Sequence, residues 1–86
     1  MNEIEKKVQC IVESIDDFKD SYTYIESFHK SIKIGLDKDF VNIRALSLLY
    51  ELTRERIQGV IWGDIERLEN GFCVHVLLEH PINQYN

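Results

Sequence analysis

Basic residues are scarce in this chain of 86 residues: ten Lys and Arg stand against fifteen Asp and Glu, a formal charge of −5. A chain of that sign repels DNA, RNA and anionic membrane unless its few cations gather on one face. Arg54, Arg56 and Arg67 are instead interleaved with Glu51, Glu55, Glu66 and Glu69, so direct nucleic-acid binding is not expected. Cysteine is rarer still. Cys10 and Cys73 cannot build the dense disulfide framework of a small secreted domain. No apolar run approaches the roughly 18–20 residues of a membrane span. The opening Met1-Asn2-Glu3-Ile4-Glu5-Lys6-Lys7 lacks the basic-then-apolar order of a secretory signal. These absences make a cytoplasmic protein, off the membrane, the expectation. The four glycines are isolated, at 35, 59, 63 and 71, and form no phosphate-cradling loop. Neither a Ser-centred elbow nor a His-Glu-x-x-His pattern occurs.

What the chain does contain is apolar pattern. Hydrophobic residues make up 44% and charged residues 29%, enough apolar content to offset the entropy of ordering a single domain over 1–86. Ile4, Val8, Ile11, Ile15, Phe18, Tyr22, Ile25, His29, Ile32 and Leu36 follow 4-3 spacing throughout, and only His29 among them is polar. That coiled-coil-like heptad predicts a long helix over about 2–34 with a narrow seam, stopped at Gly35. Such a helix is about 50 Å long and requires a partner of similar length.

Asp37 and Asp39 are competent N-caps for a second helix over about 38–56. Its residues Val41, Ala45, Leu48, Leu49 and Leu52 demand cover on several sides. Two readings remain open beyond Arg56. In the favoured one, about 57–62 and 72–78 are strands of a small C-terminal β element, with a turn of helix over 64–70 between them. The alternation of Phe72, Val74, Val76 and Leu78 supports the last strand. In the other, helix 2 continues to about 69 and a single C-terminal strand follows. Either way the expected fold is α+β or mainly α, built on a long antiparallel helical hairpin. Pro81 and the polar residues to Asn86 form the expected tail, 81–86, and no internal repeat stands out in the sequence.

Candidate chemistry is thin. Cys73 and His75 alternate on one strand face, with Glu79 and His80 beyond, while Cys10 and His29 fall on the predicted helix 1. Structural zinc sites show paired ligand knuckles and four ligands, and only one partial knuckle exists, so no metal and no cofactor is expected. Adjacent same-face positions also leave no room for a substrate between a Cys nucleophile and its base, so no catalytic residue is assigned. His29 in the seam reads first as a satisfied histidine near a helix end, with fixing register or responding to pH as the alternatives.

The informative surface is acidic. Glu13, Asp16, Asp17 and Asp20 recur at i, i+3, i+4 and i+7, one ridge on a continuous helix 1, with Tyr24 a turn further along and Lys19 off the ridge. Carboxylates beside an aromatic anchor suit docking onto a basic partner. The expected function is therefore a small acidic, non-enzymatic protein that binds and inhibits or neutralises another protein, in the manner of immunity proteins, antitoxins or phage anti-defence inhibitors. The rival expectation is a self-associating helical adaptor whose seam closes in a homodimer.

Overall fold

The computed structural model describes residues 1–82, apart from the side chain of Trp62. The order of elements is α1 (Glu3–Glu13), α2 (Asp16–Lys19), β1 (Tyr22–Phe28), β2 (Ser31–Leu36), α3 (Ile43–Arg56), β3 (Val60–Leu68) and β4 (Gly71–Leu78). The four strands form one antiparallel sheet in the order β1-β2-β4-β3. The longest dimension of the molecule is 35 Å, shorter than the predicted first helix alone. No helix among the described residues is long and apolar enough to cross a membrane.

The long helical hairpin and its coiled-coil seam are therefore absent. Only Ile4, Val8, Ile11, Ile15 and Phe18 of the heptad lie on or beside helices; Tyr22, Ile25, Ile32 and Leu36 are in strands. The break has a local cause. Ile15 is extended (φ −105°, ψ 115°), and the Ser14 hydroxyl donates to the Ile11 carbonyl at 2.6 Å, closing α1. Next, Tyr22-Thr23-Tyr24-Ile25 brings aromatic and β-branched side chains that favour a pleated surface. His29, expected in a helix seam, takes a left-handed conformation (φ 57°) in the two-residue turn between β1 and β2. Ile32, Ile34 and Leu36 alternate on β2, and all three are buried. A 3.5-residue seam has no place for Ile34; a strand does.

The second helix starts later than predicted, because Asn42 rather than Asp37 or Asp39 is its N-cap. The Asn42 Oδ1 accepts from the backbone N–H groups of Arg44 (2.8 Å) and Ala45 (3.2 Å). Residues 64–68, predicted as a turn of helix, belong to β3, which pairs with β4 from Val60–Leu78 to Leu68–Gly71. The continuous helix to 69 is excluded as well. β4 is close to the predicted strand, but it is central: β2 pairs along its other edge. Ile82, placed with the tail, is 5% exposed and joins the core, while residues 83–86 of that predicted tail lie outside the described residues.

The two halves repeat one plan, a helix followed by a hairpin. Phe28–Ser31 and Leu68–Gly71 are equivalent closing pairs, forty residues apart, and the Asn2 and Asn42 caps keep that spacing. The central pair Ile34–Val74 spans the same interval, so it lies on the approximate twofold axis between the halves. The repeat is one of backbone plan and is not visible in the side chains.

Helices and core lie on one side of the sheet. Ile4, Val8, Ile11, Val12 and Phe18 from the N-terminal segment and Leu49 from α3 pack on Ile32, Ile34, Val74 and Val76. The opposite face, bearing Tyr24, Glu26, Phe28, Lys33, Cys73, His75, Asp64 and Glu66, carries no helix or second sheet among the described residues.

Candidate functional site

Two surfaces concentrate side chains that the core does not use. The first is the corner where α2 meets the start of α3. The β2–α3 loop is fastened to α2 and the turn after it by two bonds: the Asp37 N–H donates to the Ser21 carbonyl at 2.8 Å, and Lys38 Nζ donates to the Asp17 carbonyl at 2.9 Å. With Asn42 as cap, Phe40 and Val41 fall outside the helix instead of inside it. Phe40 is 83% exposed and Ile43, the first residue of α3, 78%. A shallow groove of about 520 Å³ runs between Asp17, Lys38, Asp39, Phe40, Val41 and Asn42. Beside it, a second of about 360 Å³ is lined by Ile15, Asp16, Asp17, Asn42, Arg44 and Leu48, among others. Asp17 and Asn42 border both grooves, so they form one continuous surface.

The predicted acidic ridge is divided by this arrangement. Glu13 ends α1, Asp16 and Asp17 open α2, and Asp20 caps its C-terminal end. Their helical spacing loses its meaning once Ile15 interrupts the helix. Asp16 and Asp17 reach the grooves, while Glu13 and Asp20 are exposed but line neither. Asp16 pairs with Lys19 at 3.5 Å on an open surface, a weak contact. Phe40 and Ile43 went unassigned in the sequence because both sat within the predicted helix 2. The signal for them was Asn42, a better cap than its use as a helix-interior residue allowed.

Tyr24 is on the second surface, the open face of the sheet. Its ring lies over Gly35, where a Cβ would stand 2.2 Å from Tyr24 Cε1. Gly35, predicted as a helix stop, thus provides space within a strand. The Tyr24 hydroxyl donates to Cys73 Sγ at 3.6 Å. That hydrogen bond, with burial and the nearby Cys73, Glu26 and Glu66, pushes the phenol up to about 12. His75 Nε2 meets Glu66 Oε1 at 3.1 Å. Cys73 and His75 share a face as read from the sequence, but each turns to a different neighbour. Both cysteines are free, Cys10 exposed and Cys73 buried. Among the described residues, no group of three or more His, Cys, Asp or Glu is placed to hold a metal ion.

At one end of this face a cavity of about 420 Å³ is lined by Tyr24, Gly35, Asp37, Leu68, Glu69 and Asn70, among others. Arg67 is nearby in sequence, but its guanidinium sits over the Phe72 ring, 5.4 Å from the centroid. Compared with protein-family models, with curated proteins and with solved structures, the chain matches none.

Proposed function

We propose that this chain is a small acidic protein without enzymatic activity that binds and neutralises another protein, docking its α2–α3 corner against a basic surface. One observation carries the reading: Phe40, 83% exposed, shares a groove with the carboxylates of Asp17 and Asp39, and Ile43, 78% exposed, directly follows the Asn42 cap that borders it. Large apolar side chains left exposed within a charged surface mark a candidate interaction site. Apolar anchors within a charged rim are the usual anatomy of a protein interface. The carboxylates supply steering toward a cationic partner, and the apolar pair supplies contact area once docked. The heptad-seam homodimer falls with the seam itself.

The test is capture from cell extract on the immobilised chain, run beside a Phe40→Ser/Ile43→Ser variant. A basic protein retained by the parent, released by rising salt and lost from the variant is the expected result. Equal retention by both baits would remove the corner from the account.

A further inference from the structure

The uncovered sheet face ends in a cavity whose chemistry is specific enough to name an occupant. Tyr24 forms one wall, held in place by Gly35 beneath it and by the hydroxyl–thiol contact with Cys73. Leu68, at the outer end of β3, is a second wall and is partly exposed. Asp37 and Glu69 stand on the rim, both exposed, and neither makes an ion pair among the described residues. Glu26, on the same strand, and Glu66, across the sheet on β3, act electrostatically on the Tyr24 phenol. Glu66 already has His75, and Arg67 lies over the ring of Phe72, a lining residue of this cavity, instead of pairing with its rim carboxylates.

We infer that this cavity receives an arginine side chain from a partner protein, its guanidinium set between the carboxylates of Asp37 and Glu69 and against the Tyr24 ring, its methylenes along Leu68. The choice of arginine follows from the walls. A planar, weakly hydrated cation both stacks on an aromatic ring and offers forked donors to carboxylates, whereas an ammonium is a strongly hydrated point charge without the fork. Anions are repelled by the two rim carboxylates, Asp37 and Glu69, and a neutral apolar group would leave those charges uncompensated. The closing contact of Gly71 with the Leu36 carbonyl, where a Cβ would stand at 2.1 Å, keeps the β3–β4 turn tight against the end of β2 and so brings Glu69 and Asp37 to one cavity.

The inference deepens the proposed function and rests on it for the partner's charge, but it concerns a different surface and is tested without any partner. Capped L-arginine (N-acetyl, methylamide) is titrated into the isotope-labelled chain and followed by backbone amide shifts, beside capped citrulline, the uncharged near-isostere. Saturable shifts confined to residues around Tyr24, Gly35 and Asn70 are expected with arginine, and about fivefold weaker binding with citrulline. Asp37→Asn/Glu69→Gln, with an unchanged melt, should weaken arginine binding by a similar factor. Gly35→Ala should do so by displacing the ring, and Tyr24→Leu provides the same loss without altering the backbone. Absent or non-saturable shifts, equal response to citrulline, or shifts centred elsewhere would overturn the inference. Arginine binding with no captured partner would instead count against the proposed function alone, and capture through the corner without arginine binding against this site alone.

Discussion

Two tyrosines show how single residues report on the fold. Tyr50, on α3, lies over Gly63 of β3, where a Cβ would meet its ring at 2.1 Å, and its hydroxyl donates to the Asp64 carbonyl at 2.5 Å. Burial, with the charges of Asp64 and Cys73, pushes its phenol up to about 12, as the contacts of Tyr24 do for that residue. Raised folded values mean that the native state holds these protons more tightly than the unfolded chain. Their stabilisation is complete below the unfolded phenol value of about 10 and is lost as pH rises through about 12. Tyrosinate absorbance should therefore show two late-titrating phenols, and Tyr24→Phe and Tyr50→Phe should each remove one. Titration of both near pH 10 in the folded chain would contradict the placement of these rings. Gly63→Ala should destabilise, since the ring cannot move without losing its bond to β3; a thermal melt checks it.

At the scale of elements, part of the fold was legible and part was not. The last strand declared itself by alternation at Phe72, Val74, Val76 and Leu78, and α3 by its apolar content, although its start was displaced by five residues from the expected 38 to Ile43. The helix over 2–34 failed because 4-3 spacing is also satisfied by a short helix followed by strand residues that happen to fall on the count. The evidence against it was in the sequence: Ile32, Ile34 and Leu36 alternate, and aromatic and β-branched residues crowd 22–25. Long-range pairing outweighed a local periodicity. The apolar positions themselves were read correctly. Ile15 and Ile25 are 4% and 8% exposed, yet they face a sheet-backed core and not a second helix. Replacing either with Ala should cost roughly 2–5 kcal/mol, measured by denaturant unfolding; a loss well under 1 kcal/mol at both would contradict the burial. Asn42→Ala, which strips two N–H groups of their acceptor, should cost about 1 kcal/mol. At the other cap, Glu5 is held below its ordinary value, first by its bond from the Ser27 hydroxyl. A depressed value means stability present above the unfolded carboxylate range and lost as pH falls through the folded one, so Glu5→Gln should soften the acid limb of the pH–stability curve.

Across the whole molecule, one face of the sheet carries the buried core, and the surfaces proposed for binding lie away from it. The candidate acids were visible in composition, but their grouping was not, because proximity between Asp17, Asp39 and Phe40 depends on a loop folding back onto α2. Tyr24 was singled out for its aromatic character and is a wall of a cavity, though beside Asp37 and Glu69 instead of the ridge acids. Changing Asp16, Asp17 and Asp20 to Asn should leave stability within about 0.5 kcal/mol of the parent, as for most surface substitutions. The same change removes charge from the corner without touching the apolar pair, so it separates steering from contact. The most direct measurement of the central claim follows from that separation: association and dissociation rates of the captured partner, recorded against salt for the parent, the triple Asn variant and Phe40→Ser/Ile43→Ser. The account predicts slower, less salt-sensitive association for the Asn variant and faster dissociation for the Phe40/Ile43 variant, both fully folded. Parent-like rates and salt dependence in both variants would show that the α2–α3 corner is not where this protein meets its partner.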